Sequence, residues 1–383
     1  MLPLGLVLTA PLFNYLGHGV ETALALLGTL ALTALAIASG QGARAWRVCA
    51  GKGFITGAAL VVLTIILWGY SSFTGISPHS RGNWAEIPLI VAFLTLFGVY
   101  ARAMPLARHQ NLLATAAFIT VAIAAMVLAE RAIPALTQLL HGESGADRLN
   151  FTAPILIWGL PFTLHQWRRH TARWWMPILT VLAIGASNGR IGWVVAPVVM
   201  ALYTAATWKD ISPRRWLCMW GAFVAAIVLG MGLLMAVVGS SFLTERLHDL
   251  ASGSGEGRID IWRFALAQWW QHAPWFGIGV QGFRYLDFTG VMLTSTAHPH
   301  NGLVQLLLET GLVGTIAATA TLCYLVRQAW RAMAANPQDR VVLLLCFAGV
   351  DACSLASTSL FHGWWMVFML TPLAWALAWP PKK

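Results

Sequence analysis

The chain has 383 residues, of which 58% are hydrophobic and only 10% charged, and its mean hydropathy is +0.68. This composition excludes a soluble domain, because so few polar residues could not cover the surface of a fold of this size. The net charge is +10, and in a membrane protein the distribution of basic residues among loops is more informative than their sum.

Apolar runs of about 20 residues cross a bilayer core of roughly 30 Å as single helices. Such runs predict an all-α polytopic membrane protein with about twelve transmembrane helices. The first run lacks a positive n-region and a small-residue cleavage site, so we expect a retained span rather than a signal peptide. The predicted spans are 3–18, 22–39, 54–72, 84–103, 110–130, 150–167, 175–187, 191–207, 215–240, 301–326, 341–361 and 364–380.

The basic residues support this number of spans. With a cytoplasmic N-terminus, the inner loops and the C-terminal tail contain 16 of the 24 Lys and Arg. The other eight fall on the outer side, where most of the acidic residues also lie. This asymmetry follows the positive-inside rule and predicts that both termini are cytoplasmic, whereas eleven spans would violate the rule in the second half of the chain.

One long connection, residues 241–300, separates spans one to nine (1–240) from spans ten to twelve (301–383) and is expected to face outward. Within it, 252–257 has the composition of a flexible linker, and the spacing in 258–272 predicts an amphipathic helix. That helix could lie on the membrane surface or move as a lid. One predicted face carries Ile259, Trp262, Leu266 and Trp269, and another carries Asp260, Arg263, Ala267 and Gln271.

Two histidines lie where this loop meets the tenth span. Pro299 suits the first turn of a helix, which would place His300 and Asn301 inside that turn. The partial positive charge of a helix N-terminus disfavours protonation of an imidazole, and a neutral histidine is a usable general base. Alternatively, His298 and His300 are hydrated residues at a loop–helix junction.

Two outer arginines are candidate ligands for an anion. Arg190 lies in a short hairpin between two spans, and Arg258 begins the amphipathic helix. A guanidinium stays charged and pairs two donors with phosphate oxygens. The alternative for Arg190 is an arginine that extends to lipid headgroups. Arg263 fits the solvated face of the helix, and Arg284 has no assigned role.

Two acidic residues fall inside predicted spans. Glu309 and Asp351 lie about 13–15 Å into their helices at roughly 1.5 Å per residue, where they either form a structural hydrogen-bond network or relay protons. His362 is predicted at the outer end of the eleventh span, from which it could support the site. Glu130 and Arg131 are expected on a solvated outer rim.

Metal binding is not expected. The five cysteines lie in an inner loop or at spans, and none has a metal-type spacing or a partner for an extracytoplasmic disulfide. The outer loop has no acidic cluster that would hold a divalent cation. We therefore expect neither a metal nor a cofactor.

Several motifs resemble those of a known family. His300-Asn301 is followed after nine residues by Gly311-x-x-Gly314, whose glycines are spaced for close helix packing. This pattern resembles that of bacterial O-antigen ligases, in a superfamily that also holds O-antigen polymerases and protein O-oligosaccharyltransferases. Three other stretches resemble motifs of the same superfamily: the Ser-Asn-Gly-Arg hairpin at 187–190, Arg258 with Trp262, and Pro-Trp-Phe-Gly-Ile-Gly at 274–279. The order of the spans and the long outer loop also resembles that of the superfamily.

The resemblance implies a glycosyltransferase of the bacterial inner membrane with its active site at the periplasmic face. It would transfer O-antigen polysaccharide from undecaprenyl diphosphate to the lipid A core, by a single inverting displacement without a metal. The implied partners are this donor, the lipid A core and membrane lipids, with no nucleic acid. The implied site residues are His300 as general base, Arg190 and Arg258 as diphosphate ligands, and His298, Asn301, Arg263 and His362 in binding or supporting positions.

Two alternatives stay open at this point. An O-antigen polymerase or a protein O-oligosaccharyltransferase would use the same residues with another acceptor. A transporter of a lipid-linked or anionic solute would instead need functional charges near the membrane centre, and Glu309 and Asp351 are its only support.

Overall fold

The computed structural model describes residues 52–75, 79–102, 104–133, 135–136, 145–187, 189, 191–207, 254–288, 298–355 and 359–379, and the elements in these ranges are all helical. Short 3-10 turns lie at Thr171–Arg173 and Gly282–Tyr285. The α-helices are α1 (Lys52–Thr74), α2 (His79–Arg102), α3 (Leu106–Ala132), α4 (Gly145–Arg169), α5 (Trp175–Ala186), α6 (Ile191–Thr207), α7 (Ser254–His272), α8 (Gly302–Ala332), α9 (Pro337–Ser354) and α10 (Gly363–Leu377).

Nine of the predicted spans coincide with helices, and the other three, at 3–18, 22–39 and 215–240, lie outside the described residues. Helices α1, α2, α3 and α8 are long and apolar enough to cross a membrane, and α6 and α10 are shorter apolar helices. The described part of the chain is therefore that of an all-helical, multi-pass membrane protein. The number twelve stays a prediction.

Small residues let the central helices approach closely. α3 buries Ala116, Ala117 and Ala124 where it packs against α4 and α5. A methyl group added at Gly159 of α4 would lie 2.1 Å from the side chain of Thr120, so a larger residue does not fit there. Helices in a membrane have little hydrophobic drive to associate and depend on such close packing.

α8 bends at Gly311, whose backbone has φ 67° and ψ −177° inside an otherwise helical segment. Glycine adopts a positive φ without the strain that a side chain would cause. The prediction that both glycines serve helix packing is correct for Gly314, where an added Cβ would lie 3.2 Å from Trp68 of α1. It is wrong for Gly311, which faces the backbone of the loop after α7 instead of another helix.

The eleventh predicted span ends earlier than expected. α9 stops at Ser354, whose hydroxyl donates to the carbonyl of Asp351 (2.6 Å), and residues 359–362 form a loop. Serine hydroxyls compete with helical hydrogen bonds in this way. Asp351 therefore lies in the last turn of α9 rather than deep in a span. His362 is the N-cap of α10 and does not close the eleventh span.

α7 differs from its prediction at its start and in its buried face. It begins at Ser254, so 254–257 are helical rather than linker, because packing of the helix offsets the low helix propensity of two glycines, about 1 kcal/mol each. The predicted polar face is exposed. The buried face centres on Ala265, whereas Leu266, predicted on the apolar face, is 40% exposed. The reason is that α7 packs on α8 and on the loop that follows α7, instead of on a flat surface.

Candidate active site

The loop after α7 docks on the bend of α8. Its backbone N–H groups at Ile278 and Gly279 donate to the carbonyls of Leu308 (3.0 Å) and Glu309 (2.9 Å), and two α8 amides donate back to the loop carbonyls at 274 and 275. The bend frees these groups from their helical partners. A Cβ at Gly277 would lie 2.4 Å from the backbone of Glu309, so only glycine allows this approach.

The carboxylate of Glu309 holds the same loop from inside. It accepts the backbone N–H of Gln281 (2.6 Å), the backbone N–H of Phe283 (3.4 Å) and a side-chain N–H of Gln305 (3.1 Å). Gln305 also donates to Ser359 and accepts from the amide of Leu360, both at 2.9 Å. Of the two alternatives for Glu309, this geometry is that of a structural network, which joins the loop, α8 and the loop before α10.

The segment before α8 differs from the sequence prediction in one respect. Asn301 is the N-cap of α8, and its side-chain oxygen accepts the amides of Leu303 (3.0 Å) and Val304 (3.1 Å). Asn301 thus has a supporting role as the cap of α8. Pro299, His300 and Asn301 all precede the first helical residue, Gly302, rather than lying in the first turn, because Asn301 is the stronger cap. His300 has φ 52°, an uncommon conformation for a residue with a side chain, which occurs often at functional sites.

Three histidines gather at this point. The rings of His298 and His300 are 4.3 Å apart, and the ring of His362 lies perpendicular to that of His298 at 6.4 Å. The Nδ1 atom of His298 accepts the backbone N–H of His300 (3.2 Å). Burial, reinforced by the charges of His300, His362 and Arg284, lowers the pKa of His298 to about 3. His298 is therefore neutral at physiological pH, with one lone pair already engaged.

α7 contacts the histidine segment directly. The indole N–H of Trp262 donates to the carbonyl of Pro299 (2.8 Å). Arg258 is half-buried and lies one turn before Trp262, on the same side of α7, since residues four apart share a helical face. Arg263 is on the exposed side with Asp260 (3.4 Å). Arg258 is therefore expected on the side of α7 that contacts the histidine segment, whereas Arg263 lies on the exposed side.

Arg190 lies outside the described residues, and the connection in which it falls is short, because α5 ends at Ala186 and α6 begins at Ile191. The amide of Gly192 donates to the carbonyl of Gly189 (3.0 Å).

The Nε–H of Arg131 donates to the carbonyl of Ala186 at the end of α5 (2.7 Å). The prediction of a solvated rim is wrong for Glu130, which is buried. Glu130 lies in the last turn of α3, a helix that packs against α4 and α5.

Arg284 is the residue that the sequence did not mark. It lies in the 3-10 turn Gly282–Tyr285, and its charge acts on both His298 and Glu309. No motif identifies it, because its position depends on how the loop docks on α8. Within the described ranges, no group of three His, Cys, Asp or Glu residues is arranged to hold a metal ion.

Comparison with protein families bears on this arrangement. Residues 175–319 match the family described as O-antigen ligase. The resemblance predicted from the motifs is confirmed. The matched segment runs from the start of α5 into α8, so it holds the hairpin, α7 and the histidine segment. No curated protein matches the chain with significant similarity.

The match over residues 175–319 supports a protein of O-antigen ligase type, a class of glycosyltransferase-like membrane enzymes whose substrates are lipid-linked glycans. In such an enzyme, one site must hold a sugar acceptor and a lipid-linked donor. The histidine segment before α8 adjoins the helix that carries Arg258, so within the matched region this junction combines imidazoles with a cationic side chain on an adjoining element.

Proposed function

We propose that this protein transfers O-antigen polysaccharide from undecaprenyl diphosphate to a sugar of the lipid A core, at the periplasmic face of the bacterial inner membrane. The observation that supports this most strongly is the hydrogen bond from Trp262 to Pro299 (2.8 Å), which holds the helix of Arg258 against the segment of His298 and His300. A base and an anion ligand thereby lie on adjoining elements, as glycosyl transfer from a diphosphate requires.

His300 is the general base in this proposal. A hydroxyl oxygen of the acceptor attacks the anomeric carbon of the donor and gives its proton to the imidazole of His300. The bond between that carbon and the diphosphate oxygen breaks, and undecaprenyl diphosphate leaves with the electron pair. A single displacement inverts the anomeric configuration. Arg190 and Arg258 stabilise the charge that accumulates on the leaving diphosphate, so the reaction needs no divalent metal.

His298 supports His300 rather than replacing it. Its Nδ1 lone pair accepts the backbone N–H of His300, so in the neutral ring the proton is on Nε2, which can donate but not accept. This hydrogen bond holds His300 at its positive φ. His362 supports His298 from the start of α10, and Asn301 orients the segment by capping α8.

The proposed orientation in the membrane follows from the distribution of Lys and Arg among the loops. Both termini are cytoplasmic, and the outer ends of α7 and α8 face the periplasm. A polymerase or a protein O-oligosaccharyltransferase shares every residue of this mechanism and differs in its acceptor. The transporter alternative is weaker, because the carboxylate of Glu309 accepts three hydrogen bonds from the protein and Asp351 lies at the end of its helix.

The test uses purified protein with undecaprenyl-diphosphate-linked glycan, lipid A core and EDTA. The proposal predicts that glycan becomes attached to lipid A core despite the chelator, with inverted anomeric configuration in the product. Lengthened glycan on the donor or glycan on an added acceptor protein would support one of the alternative transferases instead. Loss of transfer in EDTA, with recovery on addition of magnesium, would contradict the metal-independent mechanism.

A further inference from the structure

Arg284 is held by an ordered segment on both sides. Phe283 is fully buried in a small cluster with Ala265, Ile278 and Leu308, and its amide donates to Glu309. On the other side, Tyr285 stacks on His79 at 5.0 Å with an interplanar angle of 20°. The backbone of Arg284 is therefore fixed between two packed aromatic residues, so the entropic cost of ordering its side chain around a ligand is reduced.

The guanidinium of Arg284 has no anionic partner among the described residues. Its Nε–H is buried and has no hydrogen-bond acceptor among the described residues. Its positive charge interacts electrostatically with His298, whose pKa it helps to lower, and with Glu309. No ion pair within 4.0 Å joins Arg284 to an acidic residue in the described ranges. The carboxylate of Glu309 is instead occupied by the amides of Gln281 and Phe283 and by Gln305.

A buried donor without a partner destabilises a fold by about 1–3 kcal/mol, so such groups usually serve a ligand or a specific chemical role. Arginine at this place can form two parallel hydrogen bonds to phosphate oxygens. In the proposed reaction the anion that must be held near the general base is the diphosphate of the leaving group, which matches this chemistry.

We propose that Arg284 is a phosphate-binding residue that contacts the diphosphate of the lipid-linked donor, in addition to Arg190 and Arg258. This inference rests on the proposed function for the identity of the donor. Arg284 approaches from the loop after α7, whereas Arg258 is on α7 itself. The diphosphate would thus be bound by side chains of separate elements, which fixes its position relative to His300 as well as its charge.

Two measurements on full-length protein in detergent test this. The first is binding of inorganic pyrophosphate by calorimetry, and the second is the KM for undecaprenyl-diphosphate-linked glycan. Arg284→Gln is expected to weaken pyrophosphate binding and raise this KM by about ten- to a hundredfold, with a smaller change in kcat, because a charge-assisted bidentate contact is lost. Arg284→Lys, which keeps the charge, should recover part of both. The matched control is Arg81→Gln, an exposed arginine on the outer end of α2, which should change either value less than about twofold.

The outcomes separate this inference from the proposed function. Wild-type pyrophosphate binding that Arg284→Gln weakens supports the inference even if lipid A core proves to be the wrong acceptor. Equal pyrophosphate affinity of wild type and Arg284→Gln overturns it, as does wild-type protein that binds no pyrophosphate. A structural role would be assigned instead by a different set of results. Arg284→Gln would then unfold at a lower temperature, while a stable Arg284→Lys would keep the wild-type KM for the donor and the wild-type affinity for pyrophosphate.

Discussion

The two histidines before α8 occupy different chemical positions. His298 uses Nδ1 to accept the amide of His300, and its ring lies between the other two imidazoles. His300 has a positive φ of 52°. The sequence predicts that histidines stand at this junction, but the tautomer of one and the backbone conformation of the other follow from packing that no local pattern encodes.

Substitution of His298 should change how stability depends on pH. Because the pKa of His298 is about 3 when folded and 6.5 ordinarily, the unfolded chain binds a proton between these values that the folded chain does not. Its contribution therefore makes stability rise with pH from about 3 to 6.5 and stay constant above. His298→Asn keeps an acceptor near the position of Nδ1 but does not titrate, and it should remove a destabilisation on the order of 1 kcal/mol at pH 5.

Thermal unfolding in detergent between pH 4.5 and 8 measures this effect. Wild type should lose more of its unfolding temperature than His298→Asn as the pH falls below 6.5. Above pH 7 the two curves should run parallel, which serves as the internal control. Parallel curves over the whole range would show that His298 is not buried as a neutral ring.

Among single residues, Arg284 shows most clearly what sequence reasoning misses. Its neighbours in the chain carry no motif, and its position is set by a loop that docks through backbone hydrogen bonds. Asn301 is the contrary case, since an asparagine before an apolar run is a local capping signal. At this junction Pro299 and Asn301 give competing local signals for the helix start, and the structure follows that of Asn301. No local signal marks Arg284.

The bend of α8 and the loop that fills it form one structural unit. Gly311 permits the bend, and the loop amides bond to the carbonyls that the bend releases. The lengths of the apolar runs predict the helices around this unit well, because each helix must span or pack within the bilayer. The bend itself is not predictable from them, because it depends on partners about thirty residues away.

Gly311→Ala should destabilise this unit. An added Cβ would lie 2.3 Å from the backbone of Trp275, at a positive φ that alanine tolerates poorly. We expect a loss of about 2–4 kcal/mol and a lower unfolding temperature. The matched control is Gly185→Ala in α5, where nothing lies within 4 Å of the added carbon and alanine should be neutral or slightly stabilising. Equal effects of both substitutions would contradict the close contact at Gly311.

Glu309→Gln should destabilise the docking of the loop after α7, while α8 stays folded. An amide nitrogen would face one of the three donors that now bond to the carboxylate, so a loss of about 1–3 kcal/mol is expected. Hydrogen exchange should become faster at the amides of Gln281 and Phe283. Asp260→Asn, an exposed acid on α7, is the control and should leave both amides unchanged. Unchanged exchange in Glu309→Gln would refute the structural role of Glu309.

Across the whole molecule, the proposed site lies at one end of α8, and the loop 333–336, flanked by Arg331 and Arg340, lies at the other. A helix of 31 residues is about 45 Å long, enough to separate two membrane faces. The asymmetry of Lys and Arg predicts which end faces inward. This prediction needs no structural information, because the orientation of a span is set when the chain inserts into the membrane and not by how the helices pack. The relation of the site to the hairpin of Arg190, in contrast, depends on helix packing and could not be predicted from charge.

Cysteine labelling tests this orientation. In a variant whose native cysteines are replaced by alanine, Gln271→Cys on the exposed face of α7 should react with a membrane-impermeant maleimide in intact spheroplasts. Ala335→Cys, between α8 and α9, should react only after the membrane is permeabilised. Both positions are exposed, so burial does not explain a difference. Labelling in the reverse order would invert the proposed topology.

The most direct test of the account is the rate of glycan transfer by His300→Ala. Purified wild type, His300→Ala and His272→Ala are compared with the same lipid-linked donor and acceptor, and folding is checked by thermal unfolding. We expect His300→Ala to lose transfer by about a hundredfold or more, and His272→Ala, an exposed histidine at the end of α7, to transfer at nearly the wild-type rate. Full activity of a folded His300→Ala would contradict the mechanism.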